Sequence, residues 1–157
     1  MSNRASVLSL QLHHTHGEPL TPVREARALV QRGLEGDSHA RREPGSRRQV
    51  LLLDVSTLNQ FGLSPGDLRE QITVQGLPDI TSLAPGTRLQ IGEVTFEATG
   101  ECAPCAHIGT LLGVEDPEQF RQTLEGRRGL LCRVVAVTGE GILRVGDEVR
   151  LFEPNSG

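Results

Sequence analysis

The chain has 157 residues and a formal net charge of −4, with 36% hydrophobic and 23% charged residues, a size and composition typical of one globular domain. The acidic net charge and the presence of only four aromatic residues argue against nucleic-acid binding, which needs a basic face and stacking platforms. All 16 basic residues are arginine, so Schiff-base chemistry at a lysine is excluded.

Targeting signals are also missing from the sequence pattern. No stretch approaches the ~18 consecutive apolar residues of a membrane span. Residues 1–12 contain one arginine and no long apolar run, so we expect no signal peptide. We therefore expect a cytoplasmic protein in a reducing compartment, whose three cysteines are thiols or ligands rather than a disulfide framework. One domain is predicted over residues 5–152, with flexible ends at residues 1–4 and 153–157.

The first half of the chain predicts strands joined by one short helix. Apolar and polar residues alternate over residues 5–12, which predicts a first strand. Residues 20–32 fit either a helical face or an edge strand begun by Pro22. The apolar run 49–53 predicts a strand buried on both faces, and Asp54 is a good N-cap for a short helix after it.

The second half predicts two more short helices and further strands. Residues 105–112 and 116–124 have the pattern of short helices, and residues 130–137 form a second strongly apolar, β-branched run. Three glycine turns each lead into a β-prone segment, as in small barrels: Gly66, Gly86 and Gly146. The expected fold is mainly β with a few short helices.

The segment from Gly100 to His107 contains a Cys-x-x-Cys motif. Cys105 directly precedes a predicted helix, whose N-terminal end favours the thiolate form, so Cys105 is a candidate reactive thiol or soft metal ligand. Two alternatives stay open. Cys102 and Cys105 are either small buried residues at a turn, or part of a zinc site with His107 and Cys132. Cys132 lies inside an apolar strand and is expected to be a core residue.

A second group of polar residues lies between residues 33 and 39. Gly33 and Gly36 imply an unusual backbone path, from which Asp37 and His39 project. The alternative is an ordinary loop in which Asp37 caps a turn and His39 is solvated. We interpret the three histidines after the first strand as solvated loop residues: His13, His14 and His16.

Two arginine pairs precede the two most apolar strands. They are Arg47-Arg48 and Arg127-Arg128, and arginine forks bind phosphate and carboxylate oxygens in a bidentate manner. Such pairs at strand entrances in an acidic chain suggest a local anion site. The alternative is solvated surface charge balanced by nearby glutamates.

Taken together and in this order, these segments resemble the MOSC family, named after the C-terminal domain of molybdenum cofactor sulfurase. The resemblance covers about residues 5–152 and is greatest to the small, single-domain bacterial members. The matching motifs are Gly33 to His39, Arg48-Gln49-Val50, Arg69-Glu70-Gln71-Ile72-Thr73, Gly86-x-x-Leu89-x-Ile91-Gly92, Cys102-x-Pro104-Cys105, Gly126-Arg127-Arg128-Gly129 and Gly141-Ile142-x-x-Val145-Gly146-Asp147.

Two positions depart from the family pattern. Ser38 stands where the family often has arginine, and Gln71 stands where it usually has asparagine. Both lie near the segments expected to bind a ligand, so the ligand geometry is expected to differ there.

The resemblance implies a closed β-barrel with a few short helices, which binds the molybdenum cofactor, molybdopterin. It implies that Cys105 is the metal's protein ligand and, with His39 and Asp37, a catalytic residue. The expected cofactor contacts are Arg47, Arg48, Glu70, Thr73, Arg127 and Arg128. We expect Cys105, Asp37, His39, Glu70 and the arginine pairs to converge on one cleft.

Three functions stay open at this point. The first is a molybdenum-dependent oxidoreductase that reduces N-hydroxylated compounds with electrons from a partner protein. The second is a sulfur carrier, in which Cys105 accepts persulfide sulfur from a donor protein and Cys102 resolves the persulfide as a disulfide. The third is a binding module without chemistry. In each case we expect no nucleic-acid or membrane partner.

Overall fold

The computed structural model describes residues 4–15 and 17–154. Residues 1–3 and 155–157, which belong to the two ends expected to be flexible, lie outside the described residues. His16, expected to be a solvated loop residue, also lies outside them. The strands are β1 Ser6–Leu12, β2 Thr21–Val23, β3 Glu25–Leu29, β4 Gly33–Leu34, β5 Val50–Asp54, β6 Ile72–Gln75, β7 Arg88–Ile91, β8 Val94–Glu101, β9 Leu130–Val137, β10 Ile142–Arg144 and β11 Val149–Phe152. The α-helices are α1 Val55–Gln60, α2 Ala106–Leu112 and α3 Pro117–Leu124, and short 3-10 helices span Ser38–Arg41 and Ile80–Ser82.

Local sequence explains most of these elements. All residues of β5 are buried, as its unbroken apolar run predicts. The Asp54 carboxylate then accepts a hydrogen bond from the Ser56 backbone N–H and starts α1. The ambiguous residues 20–32 form strands rather than a helix. In β3 every second side chain, Ala26 and Ala28, is buried, which is the two-residue period of a strand.

Most strands belong to one sheet, and the fold is mainly β. Eight strands pair in the order β11-β7-β8-β9-β5-β6-β1-β2, and a smaller sheet has the order β10-β3-β4. The pairs are antiparallel except for β5 and β6, which run parallel because α1 and the loop after it carry the chain back across the sheet.

The expected closed barrel is not confirmed. Among the described residues, the segment around the start of β1 contacts the turn before β11 and the first residue of β11, with an isolated bridge between Ser6 and Glu148. Val7 N–H donates to the Asp147 carbonyl at 2.9 Å, and Gly146 N–H donates to the Val7 carbonyl at 2.8 Å. Val149, the first residue of β11, also donates its N–H to the Ala5 carbonyl at 2.9 Å, but the described residues form no continuous ladder between β1 and β11.

Two apolar clusters position the site. The main core packs inside the curved sheet around Phe96 and includes Cys132, whose burial confirms the prediction for that residue. The second cluster joins Leu53 and Leu58 to Ile108 of α2 and Leu124 of α3. It holds α2 and α3 against the outer face of β5 and fixes where α2 begins. Within the part of the chain that the structure describes, no helix is long and apolar enough to cross a membrane.

Candidate functional site

A cavity of about 370 Å³ lies where loops from both halves of the chain meet. One wall comes from the end of β1 and the first 3-10 helix, and the other from the segment between β8 and α2 and from the loop before β9. Its polar and charged lining consists of His13, Ser38, His39, Arg42, Arg48, Arg69, Gln71, Cys102, Cys105, His107 and Arg128. No aspartate or glutamate belongs to this lining, as far as the chain is described, so the cavity has an excess of positive charge.

The structure brings only some of the predicted residues together. Cys105, His39, Arg48 and Arg128 line the cavity. Asp37 is buried directly behind His39, to which it is hydrogen-bonded. The remaining predicted contacts lie elsewhere: Arg47, Glu70, Thr73 and Arg127.

Asp37 and His39 form a hydrogen-bonded pair at the start of the first 3-10 helix. Asp37 Oδ1 lies 2.9 Å from both the backbone nitrogen and Nδ1 of His39. Its Oδ2 accepts from the His13 backbone N–H at 2.7 Å. Burial raises the pKa of Asp37, but these hydrogen bonds outweigh it and hold the pKa below its usual value. An ionised Asp37 favours the tautomer in which His39 Nδ1 carries a proton, so Nε2 is available to a ligand.

His13 was missed by sequence reasoning. Its expected role as a solvated loop residue is wrong, because it is buried, it lines the cavity and its ring lies 5.4 Å from that of His39. Its Nδ1 lies 2.8 Å from Ser38 Oγ. His14 is exposed as expected. The hydrogen bond of the His13 backbone to Asp37 depends on a contact between distant segments, which local pattern does not reveal.

Gln71 is a second residue that the list of predicted contacts omits. Its side-chain Oε1 accepts from the Leu51 backbone N–H at 2.8 Å, which fixes the orientation of the amide. Its Nε2 then faces Asp37 Oδ1 and Oδ2, at 3.3 Å from each. The signal was present in the sequence, since position 71 departs from the family pattern. The glutamine here supports the Asp37–His39 pair from behind.

Four arginines line the cavity: Arg42, Arg48, Arg69 and Arg128. Arg128 is only 8% exposed, and its Nη1 is buried with no hydrogen-bond partner among the described residues. Burial lowers the pKa of Arg128, although the neighbouring Cys102, Glu70 and Cys105 oppose this. Burial and then the charge of Arg128 lower the pKa of Arg69. With Arg48, these side chains form a cationic cluster that lacks a counter-ion in its own lining, which favours an anionic ligand.

Arg69 was not predicted as a contact, and its backbone is unusual. Its φ of 67° lies in the left-handed region, which residues other than glycine rarely adopt. Such strain persists where surrounding structure enforces it, often at a binding site.

The other arginine of each predicted pair lies outside the cavity. Arg47 is exposed, and its Nη2 donates to the Thr99 carbonyl at 3.4 Å. Arg127 is exposed and lines a separate polar cavity beside α1. Each pair lies on a loop or turn before its strand, and only one arginine of each pair, Arg48 or Arg128, lines the cavity.

Glu70 and Thr73 are also absent from the cavity lining, although the charge of Glu70 acts on Arg128. Glu70 is fully buried, and its Oε2 accepts from the Gly66 N–H at 3.0 Å and from Thr73 Oγ1 at 2.7 Å. Burial raises the pKa of Glu70. The structure assigns this pair to the loop that carries Arg69, since these hydrogen bonds fasten residues 66–70 against β6.

The two cysteines of the Cys-x-x-Cys motif differ in exposure. Cys105 is exposed and is the N-cap of α2, whereas Cys102 is buried but still lines the cavity. Among the described residues, no three His, Cys, Asp or Glu side chains form a group that could hold a metal ion. The zinc ligand set considered from the sequence is therefore not assembled. A metal that brings most of its own ligands needs only one thiolate from the protein, and Cys105 is placed to supply it.

The chain is similar in sequence to known proteins. A family model for the MOSC domain matches residues 41–150. The chain is 28% identical over 120 residues to YuaD of Bacillus subtilis (strain 168), a protein named for metal-sulfur cluster biosynthesis. That alignment covers 68% of this chain and 61% of the relative, so it spans less than two thirds of the curated relative.

Solved structures show the same fold. The crystal structure of YuaD from Bacillus subtilis superposes with a TM-score of 0.82 at 22% identity, covering 96% of this chain and 97% of that one. YiiM from Escherichia coli gives a TM-score of 0.67 at 18% identity, covering 97% of this chain and 72% of that one.

Proposed function

Because the chain belongs to the MOSC domain family, we propose that it binds the molybdenum cofactor in this cavity, with the Cys105 thiolate as the metal's protein ligand. The observation that carries the proposal is the buried, unpartnered Nη1 of Arg128 in the same cavity as an exposed thiol. A buried guanidinium without a partner is costly, and an anionic ligand removes that cost.

The residues of the cavity fit the parts of such a cofactor. Arg48, Arg69 and Arg128 offer fork-shaped donors for its phosphate. Cys105 offers the soft thiolate that a molybdenum–dithiolene centre accepts. When bound, the cofactor supplies a metal that exchanges two electrons with a substrate.

The Asp37–His39 pair supplies a proton relay beside that thiol. Asp37 holds the Nδ1 proton of His39, which leaves Nε2 to give or take a proton in the cavity. Reduction of an N-hydroxyl group consumes two electrons and two protons and releases water. We propose that His39 delivers a proton in that reaction, and that a separate electron-transfer protein supplies the electrons.

Elemental analysis tests cofactor binding. We would measure molybdenum in wild type and variants purified from a molybdate-fed, cofactor-producing host, and after reconstitution with cofactor released from a molybdoenzyme. Cys105→Ala should lose molybdenum. Arg128→Met should weaken cofactor binding about 10- to 150-fold, since a charge-assisted hydrogen bond contributes about 1.5–3 kcal/mol.

Arg127→Met is the matched control, because Arg127 is adjacent in sequence but lies outside the cavity. It should retain the molybdenum of the wild type. Wild-type protein that contains no molybdenum under either condition would show the proposal to be wrong. Equal loss in Arg127→Met and Arg128→Met would show that the cavity is not the site.

A second candidate function is sulfur carriage, which the name of YuaD and the exposed thiol of Cys105 favour. In this reaction the Cys105 thiolate attacks the outer sulfur of a donor persulfide, forms a new S–S bond and releases the donor thiol. The test is intact-mass analysis after incubation with a cysteine desulfurase and cysteine. Wild type should gain one sulfur atom, and Cys105→Ala should gain none.

A further inference from the structure

Cys102 is a second thiol in the same cavity, and neither cofactor binding nor sulfur acceptance uses it. It is only 7% exposed, yet its side chain contributes to the cavity lining together with Cys105. Its backbone N–H donates to the Gly129 carbonyl at 2.9 Å, which ties it to the residue that follows Arg128. Cys102 directly follows the end of β8 and is held by the loop before β9, while Cys105 is the N-cap of α2.

The surroundings of the two thiols stabilise negative charge. Arg128 interacts electrostatically with both Cys102 and Cys105, and its Nη1 lacks a partner among the described residues. Arg48 and Arg69 line the same space. A cationic cavity stabilises an anion released there, since opposite charges attract strongly at short range.

Cys132 offers a clear contrast. It is fully buried in the main apolar core, and burial raises the pKa of its thiol. It does not belong to the cavity lining. Of the three cysteines, Cys102 is therefore the one that shares the cavity with Cys105.

We propose that Cys102 is the resolving thiol that releases sulfur from a persulfide on Cys105 as hydrosulfide, an activity that rests on the proposed sulfur-carrier function. The Cys102 thiolate attacks Sγ of Cys105, the bond between that Sγ and the outer sulfur breaks, and the outer sulfur leaves as HS⁻. The product is a Cys102–Cys105 disulfide, and a dithiol reductant returns both thiols for the next cycle.

A single-turnover experiment tests the resolving step. Reduced protein is treated with cysteine persulfide and desalted at once, and sulfide release and intact mass are then followed without reductant. Wild type should release one sulfide per chain and end two hydrogen masses lighter than the reduced protein. Cys102→Ala should keep the added sulfur on Cys105 and release sulfide more than about 100-fold more slowly, because an intramolecular thiol has a very high effective concentration.

Cys132→Ala is the matched control and should behave as wild type, and Cys102→Ser should reproduce the result of Cys102→Ala. Sulfide release from Cys102→Ala at the wild-type rate would overturn the role of Cys102 and leave sulfur carriage intact. Wild-type protein that retains its persulfide would also overturn the role of Cys102 and leave sulfur carriage intact. If Cys105 gains no sulfur in any variant, the carrier function fails and the resolving step fails with it.

Discussion

The side-chain amide of Gln71 joins the backbone of β5 to the carboxylate of Asp37. Its oxygen accepts from the Leu51 N–H at 2.8 Å, and its nitrogen lies 3.3 Å from each oxygen of Asp37. All three groups are buried, so no solvent replaces a lost partner. The sheet thus fixes the orientation of the His39 ring through the side chains of Gln71 and Asp37.

Gln71→Leu should destabilise the protein by about 1–3 kcal/mol, because it leaves the buried Leu51 N–H without its side-chain acceptor, while Asp37 keeps its bonds from His13 and His39. Urea unfolding measures this free energy. The control is Gln75→Leu, four residues along, whose side chain is exposed and donates only to Ser6 Oγ. A change of less than about 0.5 kcal/mol is expected there, as for most surface substitutions. Equal effects at both positions would contradict the role of Gln71.

The pH dependence of stability should reveal Glu70. Burial raises its folded-state pKa above the usual 4.5. Between the unfolded-state pKa and the raised folded-state pKa, the unfolded chain has lost the proton that the folded protein keeps. The free energy of unfolding therefore falls as pH rises through this range. Glu70→Gln removes this titration and keeps an oxygen for the Gly66 N–H. We expect it to gain stability relative to wild type as pH rises above about 4.5.

The measurement for Glu70 is urea unfolding at several pH values for both proteins. Glu115→Gln, at an exposed position on the loop before α3, reports the effect of removing a solvated carboxylate. A stability difference between wild type and Glu70→Gln that stays constant with pH would show that the folded-state pKa is not raised.

Gly129 should tolerate no side chain. Its φ is 114°, and a Cβ there would lie 2.8 Å from the Leu52 carbonyl oxygen and 2.9 Å from Leu51 Cδ1. Gly126 also has a positive φ, 77°, but a Cβ there meets nothing within 4 Å. Gly126→Ala should therefore lower the free energy of unfolding by only about 1–2 kcal/mol, the cost of holding an alanine in the left-handed backbone conformation. Gly129→Ala should cost clearly more and should also weaken anion binding, since it displaces Arg128. Thermal unfolding and phosphate titration of both variants check this.

Thiol reactivity should separate the three cysteines. Cys105 is exposed, Cys102 is buried against the cavity, and Cys132 is buried in the apolar core. A thiol reagent should therefore modify one cysteine rapidly, a second slowly, and the third only after unfolding. Cys105→Ala should remove the rapid phase alone. Mass spectrometry of digested protein identifies each site, and rapid modification of Cys132 would contradict the buried position.

The main strands and the helix starts follow from local sequence. The apolar runs predict strands at β5, which is buried throughout, and at β9, where Leu130, Cys132 and Val134 are buried. Asp54 and Asp116 start helices through their own side chains. Residues 20–32 did not decide between helix and strand, because helix propensity competes there with pairing to β1 and β10. The closure of the sheet depends on where the turn before β11 lies, and no local pattern encodes that.

The candidate site likewise has some features that follow from the sequence and others that depend on the tertiary structure. Sequence alone identified the candidate residues: a thiol before a helix at Cys105, an Asp–His pair at 37 and 39, and arginines before two strands. Only the tertiary structure decided which arginine of each pair faces the cavity, that Glu70 belongs to a supporting loop, and that Gln71 supports Asp37. Side-chain direction and long-range hydrogen bonds arise when distant segments pack together, so they are properties of the folded chain rather than of any short stretch of it.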